Sequence, residues 1–272
     1  MKALWDNQLV RGALRNKLVA ACWKPISPIW GGGVTWFYRH GIRKVIGPYT
    51  FRIGVEHRRL TTTQYTEEVG WMLRSFRTGL CVFDVGANIG ITSLAFAKSV
   101  GPTGKVLAFE PSPNSFKSLK NQIRLNHLEE IITPLDYAVT NQQGLMEFWH
   151  SEDPYDMQDG PATGPGEHRC KIEVRAITLD SFCTERQLQP DIIKIDVEGF
   201  EPLVLEGVTK LIQNSPDLIL FVELHPWVWP SIGYDEQKVL AMFANLGLQA
   251  ELPDGSPLQA IPGRQHVRLS KR

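Results

Sequence analysis

The chain has 272 residues, of which 43% are hydrophobic and 21% are charged. These proportions are those of a globular protein, and they exclude a disordered, collagen-like or low-complexity chain. The length permits one or two domains. The 29 Lys and Arg residues balance the 29 Asp and Glu residues, so the formal net charge is zero. We therefore expect no dedicated binder of nucleic acid or of an acidic membrane.

The cysteine content and the apolar runs bear on the compartment. The four cysteines lack the CxxC spacing of a zinc or thioredoxin-type site, and such sparse use suits a reducing compartment. The longest apolar run near the N-terminus, residues 18–23, is too short to span a bilayer or to form the core of a signal peptide. We predict a cytoplasmic protein without a stable membrane span, and the sequence specifies no oligomeric state.

Residues 1–60 differ from the rest and are predicted to form an N-terminal extension with a helix and short strands. Four of the eight tryptophans fall there, and Leu14 and Leu18 share one helical face. The helix either lies on a membrane surface or a partner, or packs on the main domain, and we favour the second. Residues 61–272 are predicted to form the main domain, with a hairpin and loop inserted at about 145–177.

From residue 61 onwards, predicted helices and strands alternate along the chain. The strands are predicted at residues 80–85, 106–109, 131–139, 192–197 and 218–224. Helices are predicted between the first three strands, the second of them capped by Ser112, and one helix opened by Pro202 is predicted between the last two; a further helix ends at Gly247. Strands at 145–149 and 171–177 flank a loop rich in Gly, Pro and Asp, and an antiparallel pair near 248–252 and 266–269 closes the chain. This order predicts an α/β fold with a doubly wound, Rossmann-like, mostly parallel sheet. Ligands of such sheets bind beyond the carboxyl ends of the strands.

The first strand of this domain runs into the turn DVGANIG at residues 84–90. Gly86 permits a tight turn, and Gly90 permits close approach of the next helix or of a ligand. The N-terminus of that helix favours a ligand with a carboxylate or a phosphate. A dinucleotide fingerprint has a second glycine where this chain has Asn88, whose side chain would obstruct a pyrophosphate.

Acidic residues at the strand ends favour a nucleoside with a positively charged group. Glu110 lies twenty residues after Gly90, which is the spacing of an acid that accepts hydrogen bonds from both ribose hydroxyls. Asp84 is expected to face the same pocket. Two carboxylates without a nearby Lys or Arg suit S-adenosylmethionine better than NAD.

Five segments carry a family resemblance when they are taken in chain order. They are DVGANIG at 84–90, FEP at 109–111, AV at 138–139, TLD at 178–180 and IKIDVEGFE at 193–201. Over roughly residues 80–225 the chain resembles the FkbM-type family of S-adenosylmethionine-dependent, class I methyltransferases. The resemblance implies methyl transfer, often to hydroxyl groups of sugars, polyketides or other secondary metabolites.

The resemblance also implies how the first three strand ends bind the donor. The turn after the first strand would bind the methionine part, the acid of the second strand would bind ribose, and either Asp136 or Ala138 would contact adenine. The predicted donor-binding residues are Asp84, Gly86, Asn88, Gly90, Glu110, Asp136 and Ala138.

The catalytic groups are expected at the ends of the fourth and fifth strands. Asp196 and Glu198 follow one strand, Glu223 and His225 follow the other, and the two ends are neighbours in a doubly wound sheet. A carboxylate or an imidazole there could remove the proton of an acceptor hydroxyl. Alternatively, Asp196 and Glu223 could bind Mg²⁺, or a transition metal together with His225. We favour catalysis without a metal.

Three functions are therefore weighed. The first is S-adenosylmethionine-dependent O-methylation of a small molecule or glycan. The second is a nicotinamide-dependent oxidoreductase on the same fold, which Asn88 disfavours. The third is a non-catalytic donor-binding module, which the intact turn and Glu110 disfavour.

Overall fold

The computed structural model describes residues 40–151 and 169–271. The predicted helix around Leu14 and Leu18 lies outside these residues, and so does the loop that separates the two inserted strands. Within the described parts of the chain there are twelve strands and seven α-helices.

The strands are β1 (Ile42–Ile46), β2 (Tyr49–Ile53), β3 (Cys81–Val85), β4 (Lys105–Phe109), β5 (Ile132–Leu135), β6 (Tyr137–Val139), β7 (Gly144–Ser151), β8 (Arg169–Ile177), β9 (Ile192–Ile195), β10 (Ile219–Leu224), β11 (Leu248–Glu251) and β12 (Gln265–Lys271). The helices are α1 (Thr63–Met72), α2 (Ile91–Val100), α3 (Pro113–Leu125), α4 (Leu179–Arg186), α5 (Glu201–Glu206), α6 (Thr209–Asn214) and α7 (Glu236–Asn245). None of these helices is long and apolar enough to cross a bilayer.

The central sheet has seven strands in the order β11-β12-β10-β9-β3-β4-β5. Strands β10, β9, β3, β4 and β5 are parallel to one another, and β12 is antiparallel to both of its neighbours. The chain first builds the sheet outward from β3 through β4 and β5, and then returns to add β9 and β10 on the other side. The strand order therefore reverses between β3 and β9, where doubly wound sheets form their ligand crevice. The predicted α/β fold class is confirmed.

Helices cover both faces of the central sheet, and its strands are therefore buried on both sides. Phe83 and Ile193 belong to the core on the face of α4, α5 and α7, whereas Val82 and Ile192 belong to the core on the face of α1, α2 and α3. Helix α3 begins as predicted, with the Ser112 side chain accepting a hydrogen bond from a backbone N–H of the first turn.

Three elements differ from the prediction. The strand expected at 131–139 is interrupted at Asp136, because β6 leaves the central sheet to pair with β8 in a three-stranded sheet of order β6-β8-β7. Helix α4 was not predicted. The single helix expected after Pro202 is two helices, and the Asp180 carboxylate of α4 accepts hydrogen bonds from the backbone N–H groups of Lys210 and Leu211 at the start of the second. That cap satisfies donors which a helix start leaves unpaired.

Candidate active site

A cleft opens at the carboxyl ends of β3, β4 and β9, where the strand order reverses. Six of the eleven predicted site residues line it, namely Gly86, Asn88, Glu110, Ala138, Asp196 and Glu198. The cavity volume of the cleft is about 100 Å³, less than the several hundred Å³ of a typical small-molecule pocket. A wider depression of about 550 Å³ lies between α5 and α7, and no predicted site residue lines it.

The turn after β3 joins the ends of β3 and β9. Gly86 has a φ of +76°, and a Cβ added to it would lie 1.8 Å from the carbonyl oxygen of Asp196. The Gly86 N–H donates to the Phe109 carbonyl at 3.0 Å, which ties the same turn to β4. Only glycine fits this backbone conformation and this close approach.

Replacing Gly86 with alanine is expected to lower the free energy of unfolding by about 3 kcal/mol, because the substitution adds an overpacked contact to an unfavourable φ. Gly233→Ala is the matched control, since Gly233 has a φ of +82° and open space around its Cβ position. This control should cost about 1–2 kcal/mol. Chemical denaturation of both variants measures the difference, and equal losses would contradict the proposed contact.

Glu110 is buried and held in place by two backbone amides. Its Oε2 accepts a hydrogen bond from the Asn88 N–H at 2.7 Å, and its Oε1 accepts one from the Ser112 N–H at 2.8 Å. Asn88 has a φ of +50°, and its side-chain oxygen accepts a hydrogen bond from the Ser115 hydroxyl at 3.2 Å. The turn after β3 and the start of α3 thus fix one carboxylate at the cleft wall.

The structure corrects the expectation for Asp84. This residue is fully buried beneath the turn and does not line the cleft; its Oδ2 accepts hydrogen bonds from the hydroxyls of Thr92 and Ser93 in α2. Lys194 Nζ lies 3.5 Å from Asp84 and 3.2 Å from Asp196. Burial alone would lower the pKa of Lys194, but the two carboxylates hold the pKa above its ordinary value. The expectation of acids without a nearby cation was therefore wrong.

Two further predicted donor-binding residues lie away from the cleft wall. Gly90 has a φ of +90°, and a Cβ there would lie 2.5 Å from Leu119, so this glycine allows α2 to pack on α3. Asp136 is about half exposed, and its carboxylate forms an ion pair with Arg175 at 2.6 Å. Of the two residues considered for adenine, Ala138 is the one that lines the cleft.

Asp196, Glu198 and His225 come together on the opposite side of the cleft. One ligand atom from each lies within 4.8 Å of the others, and His225 Nε2 is 3.6 Å from a Glu198 carboxylate oxygen. Glu198 has a φ of +50°, a backbone conformation that non-glycine residues adopt mainly at functional sites and tight turns. The two acids line the cleft, and His225 is buried behind them.

Glu201 is a functional candidate that the sequence reasoning missed. It is fully buried at the start of α5, and its carboxylate accepts hydrogen bonds from the Gly199 N–H at 2.7 Å, His225 Nδ1 at 2.8 Å and the indole N–H of Trp229 at 3.0 Å. Burial lowers the pKa of His225, but the hydrogen bond to Glu201 and the surrounding carboxylates outweigh burial and raise it. The only signal in the sequence was a second acid three residues after Glu198, at the start of a helix.

Glu223 already has a cationic partner. The Arg264 Nε–H donates to one of its carboxylate oxygens, and His266 Nε2 lies 3.5 Å from the same oxygen. Glu223 does not line the cleft. It lies beside the cluster of Asp196, Glu198 and His225, and one of its carboxylate oxygens is 3.9 Å from His225 Nε2.

Glu68 brings α1 into this charged region and predicts a pH dependence. Burial, together with nearby acids, raises the pKa of Glu68 from 4.5 to about 7. The folded state therefore binds this proton more tightly than the unfolded state, and stability is lost as the pH rises from about 4.5 to about 7. The free energy of unfolding of Glu68→Gln should therefore rise relative to that of the native chain as the pH increases through this window. Above it, the difference between the two chains should be constant. Denaturation curves from pH 5 to 8 (about the range needed) test this, and a difference independent of pH would contradict it.

The strand order, the switch-point cleft and the fixed acid at the end of β4 define the class as a Rossmann-like, α/β methyltransferase fold. The family model described as methyltransferase FkbM domain matches residues 84–249, more than half of the chain. The chain therefore belongs to the FkbM methyltransferase family and is an enzyme that transfers methyl groups. Of the functions considered from the sequence, this assignment supports methyl transfer over a nicotinamide-dependent oxidoreductase.

The chain is also similar to curated proteins and to a solved structure. Hexuronic acid methyltransferase AglP of Haloferax volcanii is 26% identical over 210 residues, which cover 70% of this chain and 78% of that protein. Methyltransferase sdnD of Sordaria araneosa is 27% identical over 117 residues, or 43% of each protein. The crystal structure of methyltransferase FkbM from Methylobacillus flagellatus has a TM-score of 0.47 at 16% identity, covering 71% of this chain and 44% of its own. The matched part of the chain thus spans less than half the length of sdnD and of the Methylobacillus flagellatus protein.

Proposed function

We propose that the protein binds S-adenosylmethionine in the cleft and transfers its methyl group to a hydroxyl of a small molecule or sugar. The observation that carries this proposal is the position of Glu110. Its carboxylate lies at the cleft wall at the end of β4 and is oriented by the backbone N–H groups of Asn88 and Ser112. A carboxylate is a strong acceptor, and it suits the two ribose hydroxyls of the donor. Because the amides already hold it, the carboxylate loses little freedom when the donor binds.

The rest of the donor fits the walls on either side of Glu110. The turn at Gly86 would receive the methionine part, with Asp84 acting behind it through α2 and Lys194. Ala138, Met146 and Phe148 of the three-stranded sheet form an apolar wall, which suits the face of adenine. The sulfonium would then lie towards Asp196 and Glu198.

Asp196 and Glu198 would act on the acceptor. In methyl transfer the acceptor oxygen forms a bond to the methyl carbon while the carbon–sulfur bond breaks. The electron pair of the broken bond stays on sulfur, so the sulfonium becomes a neutral thioether. The hydroxyl proton passes to a carboxylate of this cluster and then to water. The protein contributes mainly by holding oxygen, carbon and sulfur in line, which can supply several kcal/mol of the barrier.

Trp227 supports a sugar as the acceptor. Its side chain is 61% exposed although it is large and apolar, and its ring centroid lies 5.2 Å from that of buried His225. An exposed indole beside the reacting groups offers a flat apolar face on which a pyranose ring can stack. The name of AglP makes a hexuronic acid the first sugar to test.

Trp227→Ala is therefore expected to raise KM for a sugar acceptor about tenfold, with little change in kcat, because stacking holds the ground state and the transition state alike. Leu145→Ala is the matched control, since Leu145 is 66% exposed on β7. A fall in kcat at unchanged KM would contradict the stacking role.

The function itself is tested with S-adenosylmethionine that carries a deuterated methyl group. The full chain is incubated with uronic acids, neutral sugars and an extract of the source cells, and products are read by mass spectrometry and NMR. We expect a labelled methyl ether. Label on nitrogen, on carbon or on a carboxylate would contradict hydroxyl methylation.

A further inference from the structure

We propose that Asp196, Glu198 and His225 form a binding site for a divalent transition metal ion such as Mn²⁺, which holds the acceptor hydroxyl; this rests on the proposed function. A metal about 2.1 Å from each ligand atom keeps those atoms about 3 to 4.2 Å apart. The distance of 3.6 Å between His225 Nε2 and the Glu198 oxygen lies in that range. All three ligand atoms lie within 4.8 Å of one another, so small shifts of the side chains bring the whole set into this range.

The orientation of the His225 ring also supports a metal site. Glu201 accepts the hydrogen bond from Nδ1 at 2.8 Å, and a carboxylate can only accept, so Nδ1 carries a proton. In the neutral imidazole the lone pair is then on Nε2, on the side of Glu198. His225 is 1% exposed, and within the described residues the nearest partner of Nε2 is the Glu198 oxygen at 3.6 Å, beyond hydrogen-bond distance. A buried carboxylate that fixes the far nitrogen of a histidine is the usual support of a metal-binding imidazole.

The neighbouring group of Glu68, Glu223 and His266 also brings three potential metal-binding side chains together. There, however, the Arg264 guanidinium already donates to Glu223 and supplies the positive charge that a metal would bring. Like-charge repulsion with Arg264 therefore disfavours a cation in that group. At the proposed site Lys194 Nζ lies 3.2 Å from Asp196, but the buried Asp84 carboxylate shares that cation at 3.5 Å, so Asp196 and Glu198 keep an excess of negative charge.

The chemistry of the ligand set and its exposure define what would bind. Two carboxylates and one imidazole suit Mn²⁺, Fe²⁺ or Zn²⁺ better than Mg²⁺, which prefers oxygen ligands alone. The side chains of Asp196 and Glu198 are 26% and 69% exposed towards the cleft, which leaves coordination positions for an acceptor oxygen. An oxygen held there loses its proton more readily.

The test is a titration of Mn²⁺ into the metal-free full chain with S-adenosylhomocysteine present, in which electron paramagnetic resonance counts the free ion. We expect one Mn²⁺ per chain. Glu198→Gln should bind it at least about tenfold more weakly, and this variant should fold because its side chain is exposed. Glu173→Gln, an exposed acid of β8, is the matched control and should bind as the native chain does.

The outcomes separate this inference from the proposed function. Calorimetry with S-adenosylhomocysteine is carried out on the same samples. Donor binding without Mn²⁺ binding, or equal Mn²⁺ binding by Glu198→Gln and the native chain, overturns the metal site and leaves the methyltransferase proposal intact. Mn²⁺ binding without donor binding supports the metal site and contradicts the assigned donor cleft.

Discussion

Glu110→Ala is expected to weaken the binding of S-adenosylhomocysteine by a factor of at least about 100. The change removes two hydrogen bonds from ribose hydroxyls to a charged acceptor, each contributing about 1.5–3 kcal/mol, and 1.4 kcal/mol corresponds to a tenfold change in Kd. Isothermal titration calorimetry on the full chain measures this loss directly.

Two further measurements make this prediction specific. Glu147→Ala changes an exposed acid of β7 that pairs with Lys171, and it should bind the donor product with native affinity. A thermal unfolding curve of Glu110→Ala shows whether the turn at Asn88 survives the loss of its acceptor. Native affinity in a folded Glu110→Ala protein would contradict the ribose assignment.

Glu201→Ala is expected to lower the free energy of unfolding by about 3–5 kcal/mol, the usual effect of removing one partner from a buried, hydrogen-bonded charge cluster. The substitution leaves the Gly199 N–H, His225 Nδ1 and the Trp229 indole without their acceptor. Chemical denaturation measures the change.

The control for this variant is Glu185→Ala. Glu185 is an exposed acid of α4, and surface substitutions of this kind usually change stability by about 0.5 kcal/mol or less. If Glu201→Ala destabilised the chain no more than the control, the hydrogen bonds of Glu201 would not stabilise the folded chain as expected.

Local patterns were sufficient for most of the fold and for six of the residues that line the cleft. The apolar runs of β3, β4 and β10, the Ser112 cap and the spacing from Gly90 to Glu110 are all readable within short windows, because period and turn chemistry are local properties. The strand-end rule of doubly wound sheets then placed Glu110, Asp196 and Glu198 at one cleft.

The contacts that sequence reasoning missed join residues far apart in the chain. Lys194 reaches Asp84 across neighbouring strands, and Arg264 of the C-terminal segment reaches Glu223. No local period encodes either pair, so the expectation of acids without nearby cations could not be corrected before the fold was known. The prediction that Asp136 contacts adenine failed for the same reason. The residue pairs instead with Arg175 of β8, because the chain passes from one sheet to another at this point.

A crystal structure of the full chain with S-adenosylhomocysteine would show whether the donor binds in the switch-point cleft with its ribose on Glu110. We expect both ribose hydroxyls within about 3 Å of the Glu110 carboxylate, with adenine against Ala138. A nucleoside bound in the depression between α5 and α7, or in the cleft with its ribose away from Glu110, would overturn the proposed donor site.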